Sequence, residues 1–322
     1  MNPRLPYADR LALPVVAAPM FLISGPSLVI EACKSGIVGT FPALNQRTTE
    51  GFRAWLDEIE EALAAHRDAT GQEATPYGVN LIVHRSNPRL QADLEVIVER
   101  KVPLVITSLG AVSDLVDAVH SYGGLVYHDV TNRRHAEKAA AAGVDGLICV
   151  AAGAGGHAGT LHPIPFLAEM RSFFDGALLL SGCLSTGRDV AAAMQMGADL
   201  AYLGTRFINA TESEADEGYR QMIIDSKTSD VVYTAAISGV PANFLRSSLE
   251  ATGITPDMWA SQAKIDFGKE LDTEAKAWKT VWSAGQGVAT IDDVVSVHDL
   301  VARLKNEFRE AVDAQHRLLD WY

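Results

Sequence analysis

The chain is short of cysteine, of long apolar runs and of positive charge, and each shortage removes a class of function. Cys33, Cys149 and Cys183 are the only cysteines in 322 residues and form no CxxC pair, so neither a disulfide framework nor a thiolate zinc site is indicated. No HxxxH pair or histidine–carboxylate cluster appears, and no metal is expected. No apolar run reaches the ~18 residues needed to span a bilayer. The N-terminal MNPRLPYADRLALPVV lacks the apolar core and cleavage site of a leader. A cytoplasmic protein without a membrane partner is the expectation. The formal charge of −13 argues against a nucleic-acid partner, which would demand basic surface. It leaves room for one anionic ligand, because backbone N–H groups can hold a phosphate without net positive charge.

Short apolar runs alternate with amphipathic segments. The strand candidates are Val15–Met20, Val38–Ala43, Tyr77–Val83, Leu104–Leu109, Leu125–Val130, Gly146–Ala151, Ala177–Ser181 and Leu200–Phe207. They are β-branched and apolar with little alternation, as parallel strands covered on both faces should be. Helix-like stretches between them include 26–35, 49–66, 90–100, 113–121, 133–142 and 189–196. Three end in a glycine stop, at Gly36, Gly143 and Gly197, with the next strand starting at once. Eight such units predict an α/β fold, a (β/α)8 TIM barrel. A doubly wound sheet would bring a GxGxxG near its first strand, and residues 15–25 carry none. The barrel is assigned to residues 1–210 and 282–322. Residues 211–281, which contain Trp259 and Trp278, read as helices and turns without strands, a helical insertion or lid over the barrel mouth. A long amphipathic helix is expected over 292–315.

In such barrels the chemistry sits at the C-terminal ends of the strands. Met20, Asn80, Thr107, His128, Ser181-Gly182 and Gly204-Thr205 fall there. Hydroxyl and glycine residues after strands seven and eight suit a phosphate. The loop Ala152-Gly153-Ala154-Gly155-Gly156-His157-Ala158-Gly159-Thr160 presents one side chain of any size, His157. A histidine there suits proton transfer near neutral pH. His128 is a candidate to face the ligand, whereas His162, before Pro163, reads as a turn residue. Cys183 reads as a small packed thiol. Phe21, Leu22, Phe41 and Leu109 are expected to make the mouth apolar.

Several of these pieces together resemble the nitronate monooxygenases, formerly the 2-nitropropane dioxygenases. They are Ala18-Pro19-Met20, Tyr77-Gly78-Val79-Asn80-Leu81, Gly155-Gly156-His157-Ala158-Gly159, Ser181-Gly182, Leu203-Gly204-Thr205-Arg206-Phe207 and Trp282-Ser283-Ala284-Gly285-Gln286-Gly287. The resemblance implies an FMN-dependent barrel. In it, Ser181, Gly182, Gly204 and Thr205 would hold the phosphate, and Met20, Asn80, His128, Gly155, Gly156 and Gln286 would lie against the flavin. His157 would be the base that removes the α-proton of a nitroalkane. Oxygen would be co-substrate, carbonyl compound and nitrite the products, and a homodimer a possible assembly. The same Gly-Gly-His-Ala-Gly loop occurs in FMN-dependent enoyl-acyl-carrier-protein reductases and NADH:quinone reductases, so an NAD(P)H-dependent reductase is the alternative.

Overall fold

The computed structural model describes residues 4–84, 87–108, 113–237, 239–260 and 281–319. The barrel strands are β1 (Val15–Ala17), β2 (Val38–Pro42), β3 (Gly78–Ile82), β4 (Leu104–Ser108), β5 (Leu125–Val130) and β6 (Gly146–Val150). After a two-residue strand outside the barrel, β7 (Gly156–His157), come β8 (Ala177–Ser181) and β9 (Leu200–Leu203). The eight barrel strands are parallel and closed, because β9 pairs back onto β1 with Val16 opposite Tyr202. The intervening helices are α1 (Pro26–Lys34), α2 (Thr49–Thr70), α3 (Leu90–Arg100), α4 (Ser113–His120), α5 (Arg133–Ala141), α6 (Pro163–Arg171) and α7 (Gly187–Gln195). This is the TIM barrel expected from the alternation. Gly36, Gly143 and Gly197 all take positive φ, at 83°, 86° and 96°, where a Cβ would be strained.

Strand residues divide by parity, since successive side chains of a strand point to opposite faces. Val79, Val105, Val126, Leu147 and Leu178 pack outward against the helices. Leu104, Ile106, Tyr127, Ile148 and Leu179 fill the lumen. The N-terminal segment plugs the lower end, where the Tyr7 and Tyr127 hydroxyls meet at 2.9 Å. Phe41, expected at the mouth, is fully buried on the outer side against Phe52 and Trp55, because its parity in β2 turns it towards the helices. Leu109 lies outside the described residues. The last strand stops at Leu203, and 205–208 form a short helix, α8 (Thr205–Ile208), not a continuation of β9.

The segment after α8 corrects a second expectation. It contains α9 (Glu217–Asp225), α10 (Arg246–Ala251) and α11 (Pro256–Trp259), but also an antiparallel hairpin of β10 (Val231–Thr234) and β11 (Ala242–Leu245). Four-residue strands are too short to show a readable period, although Val231-Val232-Tyr233-Thr234 has strong β composition. Trp278 and the rest of 261–280 lie outside the described residues. No helix among the described residues is long and apolar enough to cross a membrane.

The final helix, α12 (Val297–Leu318), returns to the barrel wall and buries Val297, Leu300, Val301 and Leu304. It packs closely on α7, where Glu307 accepts a hydrogen bond from the Gly187 amide at 2.6 Å. Behind it, Asp293 bridges Arg206 and Arg303 at 2.9 and 2.6 Å. Hydrogen bonds from Arg303 and Arg206 hold that carboxyl down to about 2. A Cβ at Gly187 would run into the Leu304 carbonyl oxygen and the Phe308 amide. Gly187→Ala should therefore pry α12 from the barrel and lower stability by about 1–3 kcal/mol, read as a lower urea midpoint with an unchanged slope.

Candidate active site

The barrel mouth encloses a cavity of about 510 Å³, within the range of small-molecule sites. Its walls include Ala18, Met20, Asn80, Ser108, Asp129, Val150, Gly155, Gly156, His157, Ser181, Gly182, Ser185, Gly204 and Thr205. Nine of the sequence candidates thus converge: His157, Met20, Asn80, Gly155, Gly156, Ser181, Gly182, Gly204 and Thr205. Met20 and Leu22 sit in a turn clamped by Asn45. That side chain accepts from the Leu22 amide at 2.9 Å and donates to the carbonyls of Met20 and Ser24 at 3.0 and 2.8 Å. Phe21 and Leu22 line the mouth as expected.

Two candidates lie elsewhere. His128 is buried off the cavity wall, with Nδ1 2.7 Å from the Thr107 hydroxyl. Burial pushes its pKa down to about 4, so it is uncharged at neutral pH. The residue that β5 presents to the lumen is its neighbour. Tyr127 points inward, and two residues on so does Asp129. The alternation in Leu-Val-Tyr-His-Asp-Val carried that signal, but the histidine drew attention first. Gln286 also leaves the wall. Its amide donates to the Gly153 carbonyl at 2.9 Å, and its side-chain oxygen lies 3.8 Å from Cys183 Sγ, so it braces the loop from behind.

The His157 loop owns almost no side chain with which to pack, and it is held by contacts from two distant segments. Gly156 and His157 pair antiparallel with Asn243 and Ala242 of β11. The buried Asn243 side chain donates to the Ala154 carbonyl at 2.7 Å. The Thr205 hydroxyl accepts from the Gly285 amide at 2.9 Å. Gly155 lies so close to the chain at 284–285 that a Cβ there would sit 2.9 Å from the Gly285 nitrogen. The insertion thus supplies the strand that presents His157 to the cavity. Its first turns add Glu214, Asp216 and Tyr219 to the wall, and Tyr219 stacks on Trp282 at 5.0 Å and 6°.

Another stretch of the wall is made of glycines and hydroxyls. Gly182 has φ +124°, and Gly204 opens onto the cavity between Ala18 and Met20. The Ser185 hydroxyl on this wall is buried without a hydrogen-bond partner, an orphan that a ligand oxygen would satisfy. The N-terminus of α7, by contrast, is already filled. Asp189 accepts from the Ser185 and Thr186 amides at 2.9 and 2.8 Å, and Glu307 takes that of Gly187. Burial pushes the Cys183 thiol above its ordinary value, away from the thiolate a nucleophile requires.

Comparison with known proteins agrees with this architecture. The family model described as nitronate monooxygenase matches residues 85–307, more than half of the chain. The chain belongs to the nitronate monooxygenase family. It is therefore an enzyme, an oxidoreductase. A nitronate monooxygenase of Paraburkholderia phytofirmans is 29% identical, with 93% of each chain covered. Among solved structures, FabK from Thermotoga maritima superposes with a TM-score of 0.80 at 22% identity, covering 99% of each chain. A nitroalkane oxidase from Streptomyces ansochromogenes gives 0.79 at 24%, covering 95% of this chain and 99% of that one. At these identities the structural likenesses speak for the fold.

Two measurements check the site. Asn243→Ala would strand the Ala154 carbonyl, lowering stability by about 1–3 kcal/mol; amides of 153–158 should exchange faster while the barrel strands keep their protection. Burial raises the Asp129 carboxyl to about 7, with His157 opposing the rise. The fold thus favours the neutral acid, and that contribution is complete below pH ~4 and lost as pH climbs through 7. Asp129→Asn should remove the loss. Its stability should match wild type below pH 4 and exceed it above pH 7 by about 2 kcal/mol, allowing for cavity water.

Proposed function

We propose that the protein is an FMN-dependent nitronate monooxygenase that accepts small neutral nitroalkanes. His157 removes the α-proton and oxygen completes the oxidation to a carbonyl compound and nitrite. The observation that carries the reading is the place of His157 on the wall of a 510 Å³ cavity that the orphaned Ser185 hydroxyl and the glycines 182 and 204 also line. Ser181, Gly182, Ser185, Gly204 and Thr205 would hold the FMN phosphate, with Met20 and Asn80 beside the ring system. The bound flavin would supply the redox chemistry and the reaction with oxygen.

What the chain itself contributes is proton transfer, orientation and exclusion of water. His157 is presented by β7, whose pairing with β11 holds the backbone from which the imidazole would reach the substrate carbon. Ile23, Leu184 and Ile208 give the cavity apolar surface. The described walls carry the carboxyls of Asp129, Glu214 and Asp216 and no lysine or arginine, which favours an uncharged substrate over a phosphorylated nicotinamide or carrier protein. That charge balance places the NAD(P)H-dependent reductase second. We also take the described part of the insertion, residues 211–260, to be the cover that shapes the substrate end of the pocket.

Purified protein should be yellow and release FMN on denaturation; colourless protein that takes up no FMN overturns the reading. His157→Ala should lose about 10²-fold or more in kcat/KM on nitroethane, yet stay within about tenfold of wild type on preformed ethylnitronate, which needs no proton removed. Equal losses would make His157 a binding group. Anaerobic bleaching of the flavin band by NADPH but not by nitronate would select the reductase.

A further inference from the structure

The lumen-facing ends of the barrel strands are occupied by apolar or neutral polar residues such as Asn80, Ser108, Val150 and Ser181. At β5 the same position holds a carboxylic acid, Asp129. One of its oxygens, Oδ1, is buried with no hydrogen-bond partner. A carboxyl kept for structure would be satisfied, as Asp199 is by Arg4, Arg171 and the Leu178 amide. This one is held open in the cavity that His157 also lines.

We propose that Asp129 is the acid–base partner of His157, the carboxylate that stabilises the imidazolium formed when His157 accepts the substrate proton. The proposal rests on the nitroalkane reading above. In the step, the His157 nitrogen forms a bond to the α-hydrogen. The C–H electron pair moves into the C–N bond, and the negative charge settles on the two nitro oxygens. Positive charge appears on His157 within the field of the Asp129 carboxylate. The two residues already sense one another, since His157 draws the Asp129 carboxyl down against the effect of burial. Other ionisable groups face the same space: Tyr202 from β9, Cys183 beyond β8, and Glu214 and Asp216 ahead of α9. Tyr202 also feels the Asp129 charge. Of these, His157 is the group able to become a cation. Asp129 acts through His157 and is a positioning residue.

The decisive comparison uses Asp129→Asn and Asp129→Glu in the full chain loaded with FMN. On nitroethane at pH 8, Asp129→Asn should fall about tenfold or more in kcat/KM, while ethylnitronate oxidation stays within about twofold. The pH dependence of the wild-type rate on nitroethane should include the ionisation of Asp129, so the profile should change in Asp129→Asn and return towards wild type in Asp129→Glu. Equal effects on both substrates, or an unchanged pH profile, would overturn the pairing. A readout independent of turnover is the ring signal of His157 in 15N-histidine-labelled protein, assigned by its loss in His157→Gln. It should register the ionisation of Asp129 near pH 7 in wild type and not in Asp129→Asn. If wild type proved inactive on both nitro compounds, the functional reading would fail. The ring signal would still decide whether the two residues are paired.

Discussion

A cavity-lining loop made almost wholly of glycine and alanine cannot hold itself in place. It has no side chains to bury, and each of its residues loses a large conformational entropy on being fixed. The stretch from Ala152 to Gly159 solves this by borrowing order from elsewhere. A strand of the insertion pairs with Gly156 and His157, Asn243 reaches the Ala154 carbonyl, and the returning chain at 284–286 lies against Gly153 and Gly155. The glycines make that backbone-to-backbone approach possible, and the approach makes the glycines immobile. The place of the His157 backbone, the shape of the cavity and the packing of the insertion follow from this one clamp.

The second organising rule is the parity of the barrel strands. It decides that Phe41 serves the outer core, that His128 is shelved against Thr107, and that Asp129 enters the mouth. Two adjacent residues of β5 thereby receive opposite environments. Burial keeps one imidazole neutral and keeps one carboxyl close to half-ionised at neutral pH. The cavity that results is acidic on the described walls, with its anion-suited wall built from hydroxyls and glycines. The macrodipole of α7 is spent on the protein's own carboxylates, Asp189 and Glu307.

The barrel was legible because its signals are long and repeated. Eight apolar runs, and glycine stops at 36, 143 and 197, all point to the same architecture. The cavity lining was legible where a residue's address is its strand end, as for Met20, Asn80, Ser181 and Gly204, or where a loop offers one candidate, as for His157. It was illegible where the side chain's direction decides. His128 and Asp129 are neighbours, and choosing between them needs the register that Tyr127 reveals. Ser185, Glu214, Asp216 and Asn243 reach the site from segments with no strand end to advertise them. The hairpin of the insertion escaped notice because four residues cannot display a period, and its pairing partner is only two residues long.

The clamp on the His157 loop also has a temporal consequence. The barrel sheet closes with residues from Val15 to Leu203, each strand pairing with a neighbour already made, so it can form as the chain grows. The loop between β6 and α6 must wait much longer. Its bond from Asn243 spans 89 residues of chain, and its other support arrives only with Gly285 and Gln286. None of these supports exists until those residues have been made. During synthesis the barrel strands are therefore complete before the loop that carries His157 can be aligned by the returning chain.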